Sequence, residues 1–301
     1  MGSPATGRDQ VTMRIDLHPK LARHLADVLR DLRRRHARRW RRAAAKPSPE
    51  RIHQLRVETR RLLALVDLVH ATREVKSLRK LRKSLKRRLD DFDPLRDLHI
   101  CQGLLRGKTT CGAEVDALHE LWTDREQRLA RELGRRLTAE RYRKLKRRLA
   151  ALQKGLELAT RQRSSEPAAP GAHTLLEPLY REVCRRAQRT RTPAGVHRLR
   201  VAFKKFRYAC ELFRPLLAGL NGSHLEAMRK FHTLMGELQD TVVLRRALKV
   251  DGPRAGLAPA ALRRIDRPWL DRQRELLARC QTALSQLPQW EPSKLARRRS
   301  S

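Results

Sequence analysis

Two short stretches of the chain carry the same cations in the same places. Ile52-His53-Gln54-Leu55-Arg56-Val57 is followed by Arg60-Arg61, and Val196-His197-Arg198-Leu199-Arg200-Val201 by Lys204-Lys205. The two copies stand 144 residues apart. Arginine offers a planar fork of N–H donors that matches oxyanions, and lysine adds a compact charge. A histidine among them can donate one more hydrogen bond. At a helical 100° per residue, His53, Arg56 and Arg60 fall within about 60° of one another. His197, Arg200, Lys204 and Arg207 gather in the same way. Such a stripe binds anions, and it holds no nucleophile beside a base.

The alternative for any charge run is a solvated helix face. Two features weigh against it. The stripes have few acidic partners, Glu58 in the first and Glu211 in the second. A merely solvated face also has no reason to keep His and cations at matching positions after duplication. Metal binding is weak, because neither His53 nor His197 has a carboxylate or second His at i+3 or i+4. His70, His99, His119 and His232 read as ordinary packing or surface residues.

Further segments repeat at an offset of 143, Leu95-Arg96-Asp97 with Leu238-Gln239-Asp240 and Lys86-Arg87 with Arg229-Lys230. Asp97 and Asp240 would oppose an anion, so they read as structural residues that hold a neighbouring Arg or cap a helix start. Arg96 becomes Gln239 in the second copy, so only the Asp recurs.

The elements that must position these residues are helical. Leu, Ala, Arg, Glu and Gln dominate, aromatic residues make up 4% and β-branched runs are scarce. The apolar stripes Ile52, Leu55, Leu62, Val66 and Val69, and Leu199, Phe203, Phe206, Cys210 and Phe213, lie opposite the cations. Helices are expected over about 19–45, 49–71, 75–91 (stopping before Pro94), 95–105, 113–133 and 139–161. The second half is expected to continue with 175–189, 193–217 (capped by Thr192), 225–234, 237–250 and 258–284. The organisation read from this is a flexible start over 1–16, a helical bundle over 17–163 and a linker over 164–171. A second bundle covers 172–286, and a basic disordered tail 287–301.

The formal net charge is +38, from 70 Lys+Arg against 32 Asp+Glu. Such an excess repels itself unless a polyanion sits against it. Nucleic acid, anionic membrane and inorganic polyphosphate are the candidates. No apolar run reaches the roughly 18 residues of a membrane span and no signal-peptide core opens the chain. Five cysteines without C-x-x-C spacing read as free thiols of a reducing cytosol.

The paired motifs resemble a known family. His53-x-Leu55-Arg56-Val57-x-x-Arg60-Arg61 and His197-x-Leu199-Arg200-Val201-x-x-Lys204-Lys205-x-Arg207-Tyr208 are similar to the two signature helices of CHAD domains, the conserved histidine α-helical domains. Leu95-Arg96-Asp97-Leu98 resembles the family's Leu-Gly-x-x-Arg-Asp motif, with Asp93 where Gly is usual. Met235-Gly236-Glu237-Leu238-Gln239-Asp240 resembles its second-half counterpart. The resemblance covers about residues 12–285. It implies two antiparallel four-helix bundles related by a pseudo-twofold repeat, with a basic channel between them that binds inorganic polyphosphate. Leu63 replaces a third Arg found in many members, so the first half is expected to grip less tightly. The Glu-x-Glu-x-Lys motif of the triphosphate-tunnel domain often fused to this family is absent.

The expected function is non-enzymatic polyphosphate binding through His53, Arg56, Arg60, Arg61, Lys86, Arg87 and Arg96 of the first half. His197, Arg200, Lys204, Lys205, Arg207, Arg229 and Lys230 complete the set in the second. No cofactor or metal is expected. The expected location is the cytoplasm, with polyphosphate granules. The alternative is a basic helical protein that binds nucleic acid non-specifically, although stacking aromatics are scarce and no helix-turn-helix or zinc-finger signature appears. A phosphohydrolase or kinase would need a P-loop, metal carboxylates or a nucleophile–base pair, and the sequence shows none of these.

Overall fold

The computed structural model describes residues 15, 17–72, 75–106, 112–161 and 171–296. Among them the secondary structure is wholly helical. α1 (Pro19–Ala45), α2 (Pro49–Thr72), α3 (Lys76–Arg106), α4 (Ala113–Arg136) and α5 (Ala139–Ala159) form the first half. α6 (Ala172–Ala187), α7 (Pro193–Phe213), α8 (Gly222–Asp251) and α9 (Pro259–Thr282) form the second. A 3₁₀ segment, Ala283–Trp290, and a short α10 (Pro292–Ala296) follow.

Neighbours in sequence pack as antiparallel hairpins, α1 on α2, α2 on α3, α6 on α7, α7 on α8 and α8 on α9. The halves meet where α2 packs on α7 and α3 on α8. The largest apolar core is continuous across that junction, running from Leu62 and Leu65 of α2 to Leu199, Phe203 and Phe206 of α7. A second core joins α3, α4, α8 and α9 around Trp122, Leu244 and Trp269. The signature helices are therefore held on both sides by apolar packing, which fixes where their polar faces point.

Two expected breaks are absent. α3 runs through Pro94, and α8 runs without interruption past Leu234 and Gly236. Proline inside a helix costs about 3 kcal/mol or more. On α3 the buried stripe Leu81, Leu85, Phe92, Leu95 and Leu98 continues through Pro94, and each such residue contributes about 1.5–3 kcal/mol by burial. Packing outweighs the local penalty. Asp97 and Asp240 consequently lie in helix interiors and cap nothing.

The start of α7 matches its expected cap. Thr192 Oγ1 accepts from Gly195 N at 3.2 Å, and Pro193 takes the first helical position. Gly195 is required here, since a Cβ would sit 2.0 Å from the Arg189 carbonyl oxygen. This close approach seats the N-terminus of α7 against the end of α6.

The C-terminal segment corrects the expected tail. Residues 287–296 are ordered, with Leu287, Trp290 and Leu295 buried. The Trp290 ring packs 5.2 Å from Phe203 and 5.5 Å from Phe231, centroid to centroid. The Leu295 carbonyl accepts from Gly219 N at 3.0 Å. Pro288, Pro292 and the polar residues between them hid this packing from the sequence reading. Ile15 and Leu17 at the other end are also buried, so the expected flexible start already contributes to the core at Ile15. Residues 1–14, the linker residues 164–170 and Arg297–Arg299 lie outside the described residues. Among the described cysteines, Cys101, Cys184, Cys210 and Cys280 are free thiols. No described helix is long and apolar enough to cross a membrane.

Candidate anion-binding site

The junction of α2 with α7, flanked by α3 and α8, collects cations from both halves. α2 supplies Arg56 and Arg60, and α7 supplies Arg200 and Lys204. α3 adds Asp93 and Arg96, and α8 adds His232, Gly236 and Asp240. Arg56 is 3% exposed and donates from Nη1 to Asp93 Oδ1 at 2.6 Å. Arg96 spans the halves, donating to Asp97 Oδ1 at 2.9 Å and to Asp240 Oδ1 at 3.0 Å. The two aspartates therefore share one arginine.

Among the described residues, Arg60, Arg200 and Lys204 have no such ion pair. The Nε atoms of Arg60, Arg200 and Arg207 and the Nε2 of His232 are buried without a hydrogen-bond partner. A buried polar group left unpaired is costly unless something else satisfies it. Burial brings the Lys204 ammonium down to about 7, with Arg60, Arg200 and Arg56 adding repulsion and Asp93 opposing it. Arg200 falls to about 10 through burial, then through Arg96 and Arg60. Arg56 falls to about 10 through burial, then through Arg60, with Asp93 pulling it back. The His232 imidazole is driven down to about 2 by burial and by Arg200, Arg207, Lys204 and Arg60. Burial raises the Asp240 carboxyl against the pull of Arg96 and Arg200. The shifts of Lys204, Arg200 and Arg56 share one cause, dehydrated positive charge with too little negative charge beside it, whereas that of Asp240 comes chiefly from burial.

The other sequence-predicted residues scatter around this centre. Arg61 pairs with Glu58 at 2.9 Å, Arg229 with Glu226 at 3.1 Å, and Arg207 with Glu211. Arg61, Arg207 and Arg229 border a cavity of about 600 Å³ between α1, α2, α7 and α8. His197 and Lys205 border another of about 360 Å³ against α6, and His197 Nδ1 lies 2.7 Å from Gln239 Oε1. Arg87 faces a third cavity on the far side of α3. His53, Lys86 and Lys230 are exposed. Arg56 and Arg207 are buried, which the reading of an outward cationic stripe does not anticipate.

Two residues of the centre escaped the sequence reading. His232 read as a bystander, and Asp93 as a departure from a motif without a partner. The continuous α8 puts His232, Gly236 and Asp240 at i, i+4 and i+8 on one stripe. Dividing that helix hid the alignment.

A family model described as CHAD domain matches residues 17–249. Among solved structures, the crystal structure of the CHAD domain from the plant Ricinus communis matches with a TM-score of 0.71 at 21% sequence identity, covering 94% of this chain and 97% of that one. At that identity the likeness shows the fold. No curated protein sequence matches significantly.

Proposed function

The chain belongs to the CHAD domain family, and from that premise we propose that it binds inorganic polyphosphate, without reaction, at the α2–α7 junction. The observation that carries this reading is the convergence of Arg60, Arg200 and Lys204, with buried, unpartnered Nε donors on Arg60 and Arg200. A linear phosphate polymer supplies closely spaced oxyanions on a thin, flexible chain. It satisfies several fixed donors at once and adds the negative charge that the cluster lacks. Asp93 and Asp240 are engaged by Arg56 and Arg96, which fits charge balance better than a catalytic role.

Nucleic acid would use the same charge but also gains from stacking on aromatic rings. The four tryptophans are each 5% exposed or less, and Tyr208 is 8% exposed beneath the Arg207 guanidinium. This supports an anion without bases. Polyphosphate, duplex DNA and single-stranded RNA are titrated side by side at physiological salt, where counterion release alone ranks them poorly. Polyphosphate is expected to displace both nucleic acids. Equal or tighter nucleic-acid binding overturns the reading.

A further inference from the structure

A second cationic cavity lies away from this junction. It measures about 820 Å³ and opens between α3, the end of α4 and α5. Seven cationic side chains line it against two carboxylates, Asp90 and Asp91. Asp91 already accepts from Arg136 Nη1 at 2.6 Å, and Arg136 also pairs with Glu132. At 100° per residue, Lys80, Ser84, Arg87, Arg88 and Asp91 of α3 point about 120–180° away from Asp93. A ligand held here is separate from one held at the junction.

One wall is built around a buried arginine. Arg88 is 9% exposed, donates from Nη2 to the Arg141 carbonyl at 2.9 Å and lies 4.5 Å over the Trp40 ring. Its Nε is buried without a partner. The Trp40 ring and the Arg141 carbonyl hold the guanidinium in place, so its position costs little to keep when a ligand arrives. Lys80, Lys83 and Arg148 stand exposed around the mouth, where long side chains can reach an entering anion. Among the described residues no aromatic side chain lines the cavity, so none of them would stack on a base there.

We propose that this cavity is a second anion site, one that takes a short run of phosphate groups independently of the α2–α7 junction. Arg88 forms the fixed floor, and Lys80, Lys83 and Arg148 close over the chain. The same chemistry serves a free oligophosphate or a stretch of a longer polymer.

Calorimetric titration of the full chain with tripolyphosphate at physiological salt tests this. The wild type is expected to bind two per chain. The variant Lys80→Gln with Lys83→Gln and Arg148→Gln changes only exposed side chains and leaves Arg88 in place. It is expected to weaken one of the two sites about tenfold or more, as loss of contacts to charged groups implies, with the circular dichroism spectrum unchanged. The variant Arg200→Gln with Lys204→Gln is expected to keep the cavity site and lose the other. A cavity variant that titrates like the wild type overturns the proposal. So does binding to phosphatidylglycerol vesicles that the cavity variant abolishes while its tripolyphosphate binding is unchanged. Long-chain polyphosphate is titrated in parallel. Loss confined to tripolyphosphate assigns the free short chain, loss of both assigns a stretch of the polymer, and each supports the site. If the Arg200 and Lys204 variant leaves long-chain binding intact, it is the junction reading that fails, and the cavity result stands.

Discussion

The two signature helices differ in what stands beside one matched arginine. On α2, Arg56 meets Asp93 at 2.6 Å and is almost fully buried. On α7, the residue 143 positions beyond Asp93 is Gly236, and a Cβ there would lie 3.6 Å from Arg200 Nε and Nη2. The first arginine has its own carboxylate, and the second has bare backbone beside it and an unpartnered Nε. A glycine in mid-helix costs about 0.5–1 kcal/mol against alanine, and here it leaves Arg200 without a carboxylate of its own, its counter-charge being the Asp240 that Arg96 already holds. On the proposed reading, anion binding is thereby concentrated on α7 and Arg60, while Arg56 acts chiefly through charge.

This contrast predicts a graded set of effects. Removing the unneutralised cations should do the most damage. Arg200→Gln with Lys204→Gln is expected to lower polyphosphate affinity on the order of a hundredfold, since contacts to charged groups contribute roughly 1.5–3 kcal/mol each and neighbours are not additive. Gly236→Asp copies the first half onto the second. Its Cβ fits without a clash, its carboxylate would occupy Arg200, and affinity should fall about tenfold. Wild-type affinity after that change would show that the difference at this position has no bearing on binding.

Lys204 is expected to make polyphosphate binding and stability respond to pH in opposite directions. Its folded-state value of about 7 lies below the unfolded 10.5. Between these values the unfolded chain holds a proton that the folded chain has released, so stability of the free protein rises with pH across that window. A bound polyanion favours the charged lysine. Affinity should therefore be greatest below about pH 7 and fall several-fold towards pH 8.5, with proton uptake on binding. Calorimetry in buffers of different ionisation enthalpy checks the uptake, and Lys204→Arg should flatten both trends.

The smallest effect is expected from Asp93→Gly. It frees Arg56 for the ligand and should raise polyphosphate affinity a few-fold, while thermal unfolding shifts down because a buried arginine loses its partner. Asp93 is half exposed on its side chain, so water moderates that loss. A fall in affinity would mean that Asp93 positions Arg56 for binding rather than competing for it.

Much of the fold was legible because apolar residues recur with helical period on every long element, and Thr192-Pro193 marked a helix start. The exceptions came from residues whose local preference tertiary packing overrode. Pro94 and Gly236 read as breaks, yet α3 and α8 continue through both because their buried stripes do. Trp290 read as part of a tail because its partners, Phe203 and Phe231, are far away in sequence. At the site, the repeated cations pointed to Arg56, Arg60, Arg200 and Lys204. The repeat could not say which of them carry carboxylates, because Asp93 reaches Arg56 from another helix, through packing. His232 could be found only once α8 was known to be unbroken.

Particular cations at the α2–α7 junction, rather than the net charge of the chain, are proposed to hold polyphosphate. The direct test sets Arg200→Gln with Lys204→Gln against a charge-matched variant, Arg263→Gln with Arg267→Gln, both exposed on α9. Polyphosphate affinity is measured for each at physiological salt, with helicity monitored. The account predicts a loss on the order of a hundredfold for the first pair and little change for the second, whose charges are exposed and screened. Equal losses from the two pairs would contradict it and leave the chain a diffuse polycation.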